Sequence, residues 1–188
     1  FTWLCPKLKC SLQLAGGKMT NAIITKESIA QVSVNPARDQ IAFGHFRKQA
    51  QIGDATVTVV HSITSDTLAT LKIGQFGMPS HSTYAVAFSI DGKYLVAGAG
   101  HWAQHARCGS VSLWETDTFE LVKAIKIKEL VSCMQLSQDS STLVVATDGE
   151  GMYHLGKSQD TKIKVFLFPS LEPWQQFEFG CGHGAYIS

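Results

Sequence analysis

Three stretches of the chain can be laid over one another by their apolar and polar positions. They are IAQVSVNPARDQIAFGHF (Ile29 to Phe46), YAVAFSIDGKYLVAGAG (Tyr84 to Gly100) and VSCMQLSQDSSTLVVATD (Val131 to Asp148). In each, an apolar run meets a polar turn around Asp39, Asp91 or Asp139, and a second apolar run follows. After a long polar connection comes a third run, TVTVVHSIT, GSVSLWETDT or TKIKVFLFPS. A fourth run, LATLKI, FELVKAIKI or WQQFEF, ends each unit. Alternation rich in Val, Ile, Phe and Tyr predicts strands, and helical periodicity is poor throughout. Asp91-Gly92 between two apolar runs predicts a tight hairpin, because glycine accepts positive φ without steric cost. The pattern predicts an all-β chain with four strands per unit.

Asn35 and Ser89 lie 54 residues apart, and Ser89 and Ser137 lie 48 apart. A period near fifty with four strands per unit is the pattern of β-propeller blades. The predicted blades are 21–76, 77–128 and 129–180. Residues 1–20 (with KLKCSLQL) are read as outer strands of a preceding blade, and 181–188 as the start of a following one. The middle unit resembles the WD-repeat family. That family carries Gly-His before the first strand, Asp in the first hairpin and Trp-Asp at the end of the third strand. Here Ser80-His81, Asp91-Gly92 and Trp114-Glu115 stand at those places. The flanking units place Val60-His61 and Phe168-Pro169 at the Trp-Asp position and keep the hairpin acids Asp39 and Asp139. Gly182-His183 resembles the opening of another blade. The resemblance implies a rigid platform for contacts with other protein subunits. Three blades and two partial ones do not close a ring. The chain is therefore expected to be completed by the rest of a longer propeller or by another chain.

Composition narrows this only a little. The 188 residues are 45% hydrophobic and 16% charged, ordinary globular values. The formal net charge is +1, which gives no cationic face for nucleic acid. No apolar run reaches the roughly 18 residues of a membrane-spanning helix. The five cysteines are irregularly spaced without a CxxC pair, which suits a reducing intracellular compartment such as the cytoplasm. Cys133 lies inside an apolar run, where a thiol acts as a small hydrophobe.

Candidate chemistry concentrates in the connections between second and third strands: Arg47 to Ala55, His101 to Gly109 and Gly149 to Lys162. In a meandering blade all three leave one face of the disc, and loops on a rigid scaffold carry recognition. His101, Trp102, His105, Met152, Tyr153 and His154 are of interface type and are the expected partner-binding residues. Two rival readings share these segments. Gly151 to Ser158 (GMYHLGKS) fits the phosphate-loop pattern, with Lys157 to reach phosphates and Ser158 to hold magnesium. Such a loop must open a helix, however, and QDTKIKVFLFP after it reads as a strand. His101, His105 and Cys108, with Cys181 and His183, offer zinc-type ligands, although the histidine spacing suits a helix and this segment reads as a loop. No nucleophile elbow or paired-acid arrangement is present, and the recurring hairpin acids suit turns. A non-catalytic scaffold with no catalytic residue, no cofactor and no metal is the expectation.

Overall fold

The computed structural model of the chain describes residues 28–46, 55–73, 82–102, 107–148 and 161–179. The suggested flanking pieces, 1–20 and 181–188, lie outside the described residues. Twelve strands form three separate four-stranded antiparallel sheets, and no helix occurs among the described residues. The first sheet is β1 (Ser28–Val34), β2 (Gln40–Phe46), β3 (Thr56–His61) and β4 (Thr67–Lys72). The second is β5 (Ser82–Phe88), β6 (Tyr94–Trp102), β7 (Arg107–Glu115) and β8 (Leu121–Ile127). The third is β9 (Leu130–Leu136), β10 (Thr142–Asp148), β11 (Thr161–Leu167) and β12 (Glu172–Phe179). Strand order within every sheet follows the chain, so each is a simple meander.

The sheets pack face to face through small and branched side chains. Ala42, Val57, Val59 and Leu71 of the first sheet meet Val86, Leu95, Ala97 and Trp114 of the second. Ala85, Val96, Val111 and Leu113 on the opposite face meet Val131, Leu143, Val145 and Phe166 of the third. Alternation along a strand places these two sets on opposite faces, which is why the middle sheet is apolar on both. The leading strands β5 and β9 each lie against the preceding sheet. Gln31 Oε1 and Ser33 Oγ accept the N–H groups of Val86 and Phe88 at 3.0 and 3.2 Å. Those side chains satisfy the free edge of β5, which would otherwise expose unpaired donors.

Hydrogen bonds fix which residues of the three sheets correspond. The N–H groups of Asn35, Ser89 and Ser137 each donate to the carbonyl five residues on, closing the first hairpin. In the third hairpin, Ser65, Phe119 and Leu171 each donate to the carbonyl of His61, Glu115 and Leu167, and all three donors have positive φ. Within these turns the hydroxyls of Thr64, Thr118 and Ser170 accept from Asp66, Glu120 and Glu172 N–H. The bulges recur as well. Ala30, Tyr84 and Ser132 are left unpaired in the leading strands, and Leu68, Val122 and Trp174 in the last.

This correspondence corrects three sequence expectations. Asp91 and Asp139 align with Ala37, not with Asp39, because they lie two residues after Ser89 and Ser137. Asn35 supplies the turn bond in the first sheet instead, accepting Ala37 N–H at 3.0 Å. At the Trp-Asp position the third sheet carries Phe166-Leu167, not Phe168-Pro169, since Leu167 is the hairpin acceptor matching Glu115. Finally, His101 to Gly109 is not a loop. β6 and β7 continue through the pairs Trp102↔Arg107 and His101↔Cys108, so only 103–106 connect them.

Candidate protein-interaction face

One end of the three sheets carries the first and third hairpins and is stitched across sheets. Asn35 Nδ2 and Thr116 Oγ1 both donate to the carbonyl of Gly92, at 3.0 and 2.6 Å. Arg38 pairs with Asp117, and Ile90 N–H donates to Ser140 Oγ at 2.9 Å. Lys123 Nζ donates to the Ser170 carbonyl at 2.6 Å, and Tyr94 meets Phe168 edge to face. The hairpin acids belong to this frame. Ser89 hydroxyl and Lys93 N–H hold the Asp91 carboxyl below the usual range. Hydrogen bonds from the Ser137 hydroxyl, and from the Ser141 N–H and hydroxyl, bring Asp139 down to about 2. Donors converging on a carboxylate stabilise its charged form. Both acids are turn residues here, and their chemistry is used up within the turn.

The opposite end is where the connections between second and third strands emerge. His105, Met152, Tyr153 and His154 lie outside the described residues, as do 47–54. His101 and Trp102 end β6, and the backbone register sets them opposite Cys108 and Arg107. The structure therefore brings two of the six expected residues onto one hairpin stem. That stem is seated firmly. A Cβ at Gly100 would come within 2.0 Å of Leu130, and one at Gly109 within 2.6 Å of the Glu129 carbonyl. Only glycine lets β6 and β7 approach the start of β9 this closely.

Beneath the same end lies an ion cluster absent from the sequence reading. Glu129, its side chain 5% exposed, is hydrogen-bonded by Lys164 Nζ and lies 3.4 Å from Lys162 Nζ. Lys162 also pairs with Glu178 at 3.2 Å. Burial pushes the Glu129 carboxyl up, but the Lys164 hydrogen bond and the two ammonium charges outweigh it, and the net shift is downward. Glu178, ahead of Glu129, holds Lys162 protonated above the ordinary lysine range. The alternation Thr161-Lys162-Ile163-Lys164 would have signalled two lysines on one strand face, but nothing local names their partner.

The rival chemistries gain no support from what is described. Gly151 to Ser158 lies outside the described residues, and Thr161–Leu167 directly beyond it is a strand. His101 and Cys108 are cross-strand neighbours, while His105, Cys181 and His183 lie outside the described residues. Among the described residues, no group of three or more His, Cys, Asp or Glu side chains gathers to hold a metal, and no helix is long and apolar enough to cross a membrane.

Comparison with solved structures places the architecture. The chain is similar to a hydrazine synthase of Kuenenia stuttgartiensis, with TM-score 0.58 and 17% identity over 90% of this chain and 40% of that one. It is similar to the β-propeller domain of the Trilobed protease from Pyrococcus furiosus, with TM-score 0.54 and 12% identity over 81% and 43%. A third likeness is to the WD40 domain of Toxoplasma gondii coronin, with TM-score 0.56 and 14% identity over 87% and 36%. The chain spans less than half the length of each. No protein-family profile matches it, and no curated protein does. The fold is that of β-propeller blades: three four-stranded meanders packed face to face.

Proposed function

We propose that the chain is a WD-repeat-like propeller portion that serves as a non-catalytic platform for protein–protein contacts within a larger assembly. The observation carrying this reading is the division of labour between the two ends of the sheets. One end is consumed by hydrogen bonds and ion pairs that lock sheet to sheet. From the other emerge the connections between second and third strands, and the β6–β7 stem that ends in His101 and Trp102 is held on the third sheet by glycine contacts. A rigid scaffold with connections projecting from one end is the arrangement by which folds of this kind present recognition surfaces. The coronin WD40 domain among the structural neighbours agrees in fold. His101, Trp102, His105, Met152, Tyr153 and His154 are the proposed contact residues.

Photo-crosslinking amino acids placed at 102 and 153, and at 93 and 117 on the stitched end, test the reading in cells. Discrete protein adducts through 102 and 153, with none through 93 and 117, are the expected result. Adducts only through the stitched end would move the contact surface there. Magnesium-dependent ATP or GTP binding that disappears in Lys157→Ala would replace the platform with a nucleotide-binding protein.

A further inference from the structure

The third sheet differs from the other two at one level, near the end where the connections emerge. Phe166 faces the second sheet, so Lys164 and Lys162, two and four residues before it, face it too. In the second sheet the matching positions before Trp114 are Ser112 and Ser110, both buried on the side of the first sheet. In the first sheet they are Thr58 and Thr56, before Val60. The last strands differ as well. Glu178 stands opposite Lys162, where Lys126 stands opposite Ser110 and Lys72 opposite Thr56. Two sheets of the same build place short hydroxyl side chains here, so the blade itself does not call for a buried carboxylate and two ammonium groups.

What the cluster touches shows what it holds. Lys128-Glu129 is the two-residue link between β8 and β9. From that link the Glu129 carboxylate reaches Lys164 and Lys162 of β11, and Lys162 goes on to Glu178 of β12. The Glu129 carbonyl oxygen lies against Gly109, and Leu130 beside it lies against Gly100. The upper β6–β7 stem therefore rests on this link. The second and third sheets also stand apart here: Lys164 lines an open groove of about 490 Å³ walled by Ile125 and Trp174. A buried ion cluster adds little net stability over apolar packing, because desolvation offsets the attraction, but it fixes one geometry.

We propose that the cluster is an ionic spacer with Glu129 as a positioning residue. It sets the separation of the second and third sheets at the connection end and so fixes where the β6–β7 stem stands. Without the tie, the link is held only by its two flanking strands, and the stem lying on it loosens. The consequence for contacts, that a fixed stem presents position 102 to a partner, rests on the platform reading; the spacer itself does not.

Amide hydrogen exchange on the full chain, resolved along β6 and β7, tests the spacer. Glu129→Gln keeps the side-chain shape and removes the charge. It should speed exchange at 99–102 and 107–110 at least about fivefold more than at 94–97 and 112–115 of the same strands. The lower half of the hairpin absorbs any change in global stability. Lys164→Met, which keeps length without charge, should reproduce this pattern, and decides the matter should Glu129→Gln not fold. Lys164→Arg should keep the parent pattern. Equal acceleration along the whole hairpin would mean that the cluster supplies stability only, and would overturn the proposal. So would a parent-like upper stem in either neutral variant. Crosslinking through 102 separates the spacer from the platform. Adducts that fall at least about threefold in Glu129→Gln are the expected result. Unchanged adducts on a loosened stem would remove its position from recognition. No adducts through 102 in the parent, with the exchange pattern as predicted, would remove the platform and leave the spacer.

Discussion

Asp139 receives three hydrogen bonds inside one turn, from the Ser137 hydroxyl and from the N–H and hydroxyl of Ser141. A carboxylate whose folded pKa is depressed contributes stability above its ordinary pKa and loses it as pH falls through the folded value. The Asp139 turn is therefore expected to hold at pH 4 and to loosen only near 2, where its carboxyl is placed. A carboxyl-carbon NMR titration should give that midpoint, and Ser137→Ala should move it up toward ordinary aspartate. A midpoint near 4 in the parent chain would contradict the turn role. Gly92 makes the complementary test. It has φ +68°, and an added Cβ would lie 2.3 Å from Asn35 Oδ1 and 2.7 Å from the Ala37 Cβ. Gly92→Ala should cost about 2–4 kcal/mol in chemical denaturation, from left-handed strain plus overlap with the neighbouring sheet. At this scale the sequence was only partly legible. Matching acid to acid put Asp39 beside Asp91, whereas the turn bond in the first sheet comes from Asn35. The better signal was the triplet Thr64-Ser65-Asp66, Thr118-Phe119-Glu120 and Ser170-Leu171-Glu172, a hydroxyl and an acid flanking a positive-φ residue. That triplet fixes the register that Phe168-Pro169 had blurred.

The β6–β7 hairpin and the Glu129 cluster carry the element-scale consequences. The segment His101 to Gly109 reads as a loop, yet β6 and β7 stay paired out to Trp102 and Arg107. Tertiary contact overrides that: Gly98, Gly100 and Gly109 are small because Val131, Leu130 and the Glu129 backbone lie against them. Gly109→Ala should destabilise the chain by about 2 kcal/mol and speed amide exchange in β6 and β7 beyond Gly100 and Gly109. The buried carboxylate yields a pH-dependent test. With Lys164 present, Glu129 stabilises the fold above its ordinary pKa, and that share fades as pH falls through its lowered value. In Lys164→Met, burial is left opposed mainly by Lys162 at 3.4 Å. The variant should then lose about 2 kcal/mol at pH 7 and less at pH 4, where Glu129 takes up a proton. A deficit unchanged between the two pH values would show that Lys164 acts through packing and not charge. Neither this pairing nor the repeated bulges could be read in advance, since both join positions that only strand register brings together.

For the whole molecule, the period near fifty and the four runs per unit were enough to place all three sheets. The repeat says nothing about the connections between second and third strands, because they follow no period. Leu167 and Phe177 on the third sheet are large and exposed, and Gln135 occupies the position from which Ser33 reaches across to β5. An open sheet face and edge of this kind associates with its like. The chain alone should therefore elute as dimers or larger species in size-exclusion chromatography, with a concentration-dependent position. A monomer at all concentrations would show those surfaces to be satisfied already. The platform claim itself is tested most directly by hydrogen exchange on the chain bound to the protein captured through position 102. The account predicts added protection within 101–109 and 149–162, with exchange at 35–40, 89–94 and 137–142 unchanged. Protection confined to those turns, with 101–109 and 149–162 unaffected, would contradict it.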